Sequence, residues 1–281
     1  MKRPIIILCY ARSGGTILNK CLSSLTDTVV MSEVNSSGGG SGVDMLNPLY
    51  DIKSQAHTWY DIDLKSDSFS ELATELNAHC INNNKQLIIR DWSIVDFEPL
   101  RENNNNPSNT FSILEDLKHL DPIVIGFVRN AIDVWISRGQ PDHISFFKYY
   151  ENYITALKQL NIPIFKYEDF TESPELVFNK MCDEMGIEYE NVISNATSYN
   201  KVNGDIQKGQ NSRGQKISKI RPMNRQIIPY KRVKNLNANA LMKKVNSEMG
   251  YGINYFDNVT FLTYIGKRIG QFYFRQKRKL K

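Results

Sequence analysis

A glycine-containing loop near the start of the chain carries residues suited to binding an anion. The apolar run from Ile5 to Tyr10 predicts a strand buried on both faces of a parallel sheet. It is followed by Arg12-Ser13-Gly14-Gly15-Thr16 and by a helical pattern from Ile17. Backbone N–H groups converge where such a loop enters a helix, and the helix dipole adds roughly half a positive charge. The loop therefore predicts a binding site for a phosphate- or sulfate-sized anion. Arg12 at its entrance could neutralise the charge that builds on the bridging oxygen of an anhydride as its bond breaks.

This loop differs from the Walker A loop of nucleoside triphosphatases. Walker A needs a glycine, four further residues and then Gly-Lys-Ser or Gly-Lys-Thr, and no such string occurs in the 281 residues. Considered alone, the segment also fits an ordinary tight turn whose arginine pairs with a surface acid.

A second polar group follows another predicted strand. Arg129 stands where the strand over residues 122–128 becomes a helix, and Ser137 lies eight residues further on, about two helical turns. A guanidinium fork and a hydroxyl suit a terminal phosphate monoester. The alternative is that Arg129 pairs with Asp133 and that Ser137 is a plain helix-surface residue.

The order of elements predicts an α/β fold. Strands are predicted at 5–10, 28–32, 86–90, 122–128 and 161–167, and helices at about 49–60, 68–82, 113–120, 131–138, 145–160, 174–185 and 238–249. Alternating strands and helices imply a mostly parallel central sheet flanked by helices, with the site at the C-terminal strand ends. We predict a single P-loop-like α/β domain over residues 1–265, with a long loop at about 195–230, and a basic aromatic tail over residues 266–281.

Composition and charge narrow the class of protein. No apolar run reaches the roughly 18 residues of a membrane span, and we expect no signal peptide before the first strand. The four cysteines show no C-x-x-C spacing and the four histidines are scattered, so we expect reduced thiols, a cytoplasmic protein and no metal site.

The positive charge is concentrated in two segments. Residues 1–200 carry 16 basic and 27 acidic side chains, residues 201–234 carry 10 basic and one acidic, and residues 266–281 carry seven basic and none acidic. This asymmetry predicts a local anionic partner rather than a basic surface overall.

Taken together, the motifs resemble those of the sulfotransferases, which transfer sulfuryl groups from 3′-phosphoadenosine-5′-phosphosulfate (PAPS). The run Arg12–Thr16 is similar to the family's 5′-phosphosulfate loop, and Arg129–Ser137 to its 3′-phosphate motif. Lys166-Tyr167-Glu168-Asp169 is similar to a segment whose tyrosine lies by the adenine. The motif style is closest to that of bacterial and protein-tyrosine sulfotransferases.

The resemblance implies a role for each matching residue. The loop would hold the 5′-phosphosulfate, Arg129 and Ser137 the 3′-phosphate, and Arg12 would also act in catalysis. Gly15 stands where the family usually has Thr or Ser, which leaves more of the binding to Ser13 and Thr16. The residues implied to bind PAPS are Arg12, Ser13, Gly14, Gly15, Thr16, Ile17, Arg129, Ser137, Tyr167, Arg213 and Gly214.

Two carboxylates compete as the general base that an acceptor hydroxyl needs. Glu33 ends the predicted second strand, and Met31-Ser32-Glu33 is similar to the segment carrying the base in bacterial and protein-tyrosine members. Asp91 ends the third strand, where cytosolic members carry histidine. For each, the alternative is a buried carboxylate paired with Arg12 or Arg90.

The basic segments have separate predicted roles. Arg213 and Gly214 resemble the late basic loop that closes over the nucleotide in this family, although the usual Arg-Lys-Gly pattern is absent and a solvated loop is the alternative. The tail over 266–281 fits a solvated terminus, contact with an anionic membrane or a nucleic-acid contact, and we expect no specific nucleic-acid partner.

The implied function is metal-free transfer of a sulfuryl group from PAPS to a hydroxyl of a carbohydrate, lipid or small metabolite, releasing 3′,5′-adenosine bisphosphate. Two other functions stay open. One is an ATP-using P-loop-type kinase, which the missing Gly-Lys-Ser/Thr disfavours. The other is a non-catalytic module that binds nucleotide or polyanion.

Overall fold

Five strands form a parallel sheet in the computed structural model, which describes residues 2–37, 48–99, 107–193 and 219–279. The sheet has the order β2-β3-β1-β4-β5, and each neighbouring pair is parallel. The prediction of an α/β fold with a parallel sheet flanked by helices is confirmed. The strands are β1 (Ile5–Cys9), β2 (Thr28–Val34), β3 (Gln86–Trp92), β4 (Ile123–Val128) and β5 (Ile164–Lys166).

The helices follow the local signals of the sequence at several ends. Ser68 and Glu71 form a capping box at the N-terminus of the helix that begins at Phe69. Gly186, with a φ of 65°, caps the C-terminus of the helix that ends at Met185. Both caps agree with the residue types that favour helix ends. The helices are α1 (Gly15–Leu22), α2 (Pro48–Tyr60), α3 (Phe69–Asn82), α4 (Ile94–Phe97), α5 (Ser112–Asp116), α6 (Ala131–Ser137), α7 (His143–Gln159), α8 (Tyr167–Glu172), α9 (Pro174–Met185), α10 (Tyr230–Ala238), α11 (Ala240–Glu248) and α12 (Phe261–Lys279), with 3₁₀ turns at Lys118–Leu120 and Tyr255–Asn258.

The chain separates into two compact units. The first, Met1–Arg129 with Asn152–Arg221, contains the whole sheet. Its core packs β1 against α1 and α9 through buried side chains such as Ile7, Leu18 and Phe178. Each such side chain contributes roughly 1.5–3 kcal/mol on burial, so the strand that leads into the loop is firmly held.

The second unit, Asn130–Glu151 with Pro222–Lys281, is helical in its described part. Asn246 joins its helices, because its Oδ1 accepts from the Ala131 N–H at 3.0 Å and its Nδ2 donates to the Gly252 carbonyl at 2.9 Å. Arg225 binds Asp133 through two contacts of 2.9 Å. These bonds fix the start of α6.

Some predicted boundaries differ from the observed ones. β2 runs to Val34, one residue past the predicted end at Glu33, and β5 spans only three residues instead of 161–167. α10 was not predicted, because it buries only Val233 and Leu236 and shows little apolar periodicity. The predicted boundary between residues 265 and 266 falls inside α12. Among the described residues, no helix is long and apolar enough to cross a membrane.

Candidate functional site

The loop between β1 and α1 contains two residues in left-handed backbone conformation. Arg12 has a φ of 72° and Gly14 a φ of 92°. A Cβ on Gly14 would lie 2.2 Å from Cδ2 of Tyr167, so both the dihedral angle and the close packing require glycine. The Ser13 N–H donates to the Tyr10 carbonyl over 3.1 Å and closes the turn.

The loop presents groups that fit an anion. Gly14 caps α1, and its carbonyl accepts from the N–H groups of Ile17 at 3.2 Å and Leu18 at 3.4 Å. The N–H groups of Gly15 and Thr16 belong to the first turn of α1, where N–H groups have no carbonyl acceptor within the helix. The Ser13 hydroxyl is buried and has no hydrogen-bond partner in the described part of the chain. A buried orphan hydroxyl beside first-turn amides is an arrangement that a bound anion would satisfy.

A buried arginine on β3 lies against this loop. Arg90 is 2% exposed, its Nε donates to Asn19 Oδ1 at 2.9 Å, and its Nη2 donates to Ser32 Oγ at 3.0 Å. The same Nη2 lies 3.3 Å from Glu33 Oε1. A Cβ on Gly15 would lie 2.5 Å from Arg90 Nη1. Gly15 thus leaves room for the guanidinium at a position where a Thr or Ser side chain would collide with it.

This contact yields a stability prediction. The change Gly15→Thr, although it restores the residue usual in sulfotransferases, is expected to lower the free energy of unfolding by about 1–3 kcal/mol, because the new side chain displaces Arg90 in a packed interior. Urea denaturation measures the change. Gly266→Thr is the matched control, since no atom lies within 4 Å of a Cβ at Gly266. Equal stability of Gly15→Thr and wild type would mean that Arg90 moves aside without cost.

Glu33 is the extra residue of a β-bulge. Ser32 pairs with Arg90 and Val34 with Asp91, so the register between β2 and β3 shifts across Glu33, whose φ is 56°. Bulges re-aim side chains, and left-handed backbone at a non-glycine residue is concentrated at functional sites. The buried Glu33 carboxylate is oriented by Arg90, which also contacts the loop. Of the alternatives weighed for this carboxylate, pairing with Arg90 is observed.

Asp91 belongs to a different, fully buried network. Asn35 Nδ2 donates to Asp91 Oδ1 at 3.0 Å and to Asp96 Oδ2 at 3.1 Å, and Ser93 Oγ donates to Asp91 Oδ2 at 2.5 Å. Burial, reinforced by the neighbouring Asp96, raises the pKa of Asp91 to about 8. Asp91 is fully buried and bonded within this network, whereas Glu33 pairs with the arginine that approaches the loop at Gly15, which favours Glu33 as the base.

The raised pKa of Asp91 predicts a pH dependence of stability. Because this pKa rises from 3.8 to about 8 on folding, the native state binds more protons than the unfolded state between these values. The stabilisation from this extra bound proton is fully present below pH 3.8. The free energy of unfolding falls as the pH rises toward 8, by up to about 1.4 kcal/mol per pH unit. Denaturant titrations at several pH values should show this slope in the wild type and a much smaller slope in Asp91→Asn. An identical slope in both proteins would contradict the assignment.

Arg129 directly follows β4 and borders the loop. Its Nη1 donates to the Arg12 carbonyl at 3.1 Å, and its guanidinium carbon lies 4.5 Å from the centre of the Tyr167 ring. The ring is 6% exposed and also packs on Gly14. Tyr167 therefore holds Arg129 and the loop together more than it offers an open face to a base. Asp133, weighed as a partner for Arg129, has its own ion pair with Arg225 in the second unit.

The sequence matches no family model, and no curated protein sequence is significantly similar to it. Among solved structures, it is similar to the sulfotransferase domain from the curacin biosynthetic pathway, with a TM-score of 0.53, 14% identity, and coverage of 90% of this chain and 99% of that chain. The sulfotransferase domain from the Synechococcus PCC 7002 olefin synthase gives a TM-score of 0.55 and 16% identity over 90% of this chain and 97% of that chain. The chain has a sulfotransferase-like fold.

Within this sulfotransferase-like fold, most of the predicted site residues lie together in the first unit. Arg12, the loop, Glu33, Arg129 and Tyr167 are joined directly or through Arg90. Ile17 packs its side chain into the core and donates its N–H to Gly14. Ser137 ends α6 in the second unit. Arg213 and Gly214 lie outside the described residues.

The site also contains residues that the sequence analysis did not assign to it. These are Arg90, Asn19 and Ser32, which form one hydrogen-bonded group. The available signal was a cation directly after the apolar run Leu87-Ile88-Ile89, because a buried charge needs partners. In the described ranges, no group of three or more His, Cys, Asp or Glu side chains could hold a metal ion.

Proposed function

We propose that this protein is a sulfotransferase that uses PAPS to sulfate a hydroxyl of a carbohydrate, lipid or small metabolite. The observation that carries the proposal is the orphan Ser13 hydroxyl at the start of α1. It belongs to a loop that Arg129 holds at the Arg12 carbonyl and that Arg90, the partner of Glu33, approaches at Gly15. The similarity in fold to two sulfotransferase domains adds support.

Separate groups of the chain suit the two anionic ends of the donor. The Ser13 hydroxyl and the first-turn amides would hold the 5′-phosphosulfate. Arg129 would hold the 3′-phosphate through charge-assisted hydrogen bonds, a role that the resemblance also implies for Ser137. Arg213 and Gly214 would add contacts from the basic loop.

The same residues provide a route for the reaction. PAPS supplies an activated sulfuryl group when bound. Glu33 would accept the proton of the acceptor hydroxyl, and Arg90 keeps its carboxylate oriented for this task. Arg12 is exposed at the mouth of the loop and would neutralise the charge that grows on the bridging oxygen as the bond breaks. The products are the sulfated acceptor and 3′,5′-adenosine bisphosphate.

The decisive experiment is calorimetric titration with 3′,5′-adenosine bisphosphate, with AMP and ATP as controls. We expect the bisphosphate to bind about 10- to 150-fold more tightly than AMP, because hydrogen bonds to a charged group contribute about 1.5–3 kcal/mol. Arg129→Gln should reduce the affinity for the bisphosphate more than the affinity for AMP, so that the two become equal. The ratio of the two affinities reports the 3′-phosphate contact, because any change in the loop, whose Arg12 carbonyl Arg129 also binds, affects both ligands.

Other outcomes would redirect the proposal. Equal affinity for the bisphosphate and AMP would contradict it and favour the ATP-using kinase if ATP bound best. A preference for the bisphosphate without release of that product from PAPS, across a panel of hydroxyl acceptors, would favour a non-catalytic binding module.

A further inference from the structure

The C-terminal helix α12 carries an exposed apolar stripe. Leu262 is 81% exposed, Ile265 39% and Ile269 57%. Their spacing of three and four residues places them on one side of the helix. Monomeric proteins seldom leave a row of large aliphatic side chains in water unless the row has a partner.

The start of α12 is anchored to the second unit, so the stripe belongs to a held helix. Tyr264 is buried, and its hydroxyl donates to the Ile228 carbonyl at 2.9 Å. Its ring packs edge-on against Phe256, with centroids 5.5 Å apart, and Phe256 packs in the same way on Phe261 at 5.6 Å. The side of the helix that bears Tyr264 is therefore packed on protein, while the stripe faces away from these contacts.

The charge of α12 and its flanking residues indicates what kind of partner covers the stripe. No acidic residue follows Asp257, whereas seven basic residues occur between 266 and 281. Arg268 follows Ile265 by three residues and therefore borders the stripe. Pairing with a second copy of the helix would bring like charges together, and a nucleic acid would leave the aliphatic stripe without a contact. An anionic lipid surface satisfies both features, because its headgroups attract the cations and its acyl boundary accepts the side chains.

We propose that α12 binds the surface of membranes containing anionic lipids. The helix lies in the plane of the interface, with Leu262, Ile265 and Ile269 inserted and Arg268 near the headgroups. The surface attachment would place the enzyme beside lipid-borne hydroxyl acceptors, but membrane binding itself does not depend on the proposed sulfotransferase activity.

Vesicle flotation of the full chain tests the proposal. We expect binding to vesicles of phosphatidylcholine with phosphatidylserine and at least tenfold weaker binding to phosphatidylcholine alone. Replacing the stripe by Leu262→Gln, Ile265→Gln and Ile269→Gln should reduce binding more than tenfold. The matched control is Ile144→Gln with Leu176→Gln, two aliphatic residues of other helices that are 63% and 57% exposed. Arg268→Gln should weaken binding about fivefold.

A site-specific probe tests the orientation. All four native cysteines are buried, so a polarity-sensitive dye attached to Ile269→Cys reports on that position. Its emission should shift to the blue on phosphatidylserine vesicles, while the same dye on Leu176→Cys should not respond.

Three results would overturn the proposal. One is undiminished vesicle binding by the stripe variant, and another is an unresponsive dye at position 269. The third is absence of vesicle binding by the wild type, with α12 instead mediating dimerisation in ultracentrifugation or binding of a nucleic acid.

Discussion

The change Glu33→Gln is expected to lower kcat by about 100- to 10,000-fold, the usual contribution of a general base. Glutamine retains the size of the side chain and an oxygen that can accept from Arg90 Nη2, now 3.3 Å from Glu33 Oε1. It cannot take a proton from the acceptor. Because the bulge at this position keeps its φ of 56° with either side chain, the loss should appear in kcat, with the affinity for 3′,5′-adenosine bisphosphate unchanged.

Steady-state sulfuryl transfer to the best acceptor of a hydroxyl panel measures the effect, with calorimetry on the same preparations. Asp91→Asn is the matched control, since it makes the same carboxyl-to-amide change at the competing carboxylate. Near-normal turnover by Glu33→Gln together with an inactive Asp91→Asn would assign the base to Asp91 instead.

The change Arg12→Ala is expected to reduce kcat by about 100- to 1,000-fold, as does the loss of a single donor that stabilises charge in a transition state. Bisphosphate affinity should fall much less, because the Arg12 group that holds Arg129 is its backbone carbonyl, 3.1 Å from Nη1, and every substitution retains that carbonyl. An effect on rate that exceeds the effect on affinity is the signature of an interaction made mainly in the transition state.

The variant Arg12→Lys controls for charge and for backbone strain. Alanine and lysine meet the same cost at a φ of 72°, so the difference between the two variants isolates the cation. Lysine should recover part of the rate, although it lacks the fork of the guanidinium. Wild-type turnover by Arg12→Ala would exclude Arg12 from the mechanism.

The strand, loop and first helix were predictable because their signals are local. An apolar run of five residues, three of them isoleucine, has to be buried, and Gly14 needs the backbone freedom that only glycine has at a φ of 92°. Such features depend on neighbours in the chain. The same holds for Gly186 at the end of α9.

The helices α10 and α12 were harder to predict for the opposite reason. α10 has only two buried residues, and α12 exposes aliphatic residues beside cations. Patterns of this kind predict neither a core helix nor a strand, because periodicity reports burial against the rest of the protein. Such helices are stabilised at a few tertiary contacts, for example the hydrogen bond from Tyr264 to Ile228.

By itself, the sequence determined the parallel α/β fold and the position of the glycine-containing loop on it, because strand burial, glycine placement and helix starts are encoded over short distances. Only the tertiary structure decided which side chains of the candidate site contact one another. β3 lies between β2 and β1 in the sheet, so Arg90 reaches both Glu33 and the space beside Gly15. That contact depends on sheet register between segments distant in the chain, and a bulge in β2 sets the register. No local pattern specifies it, since pairing register follows from the packing of the whole sheet.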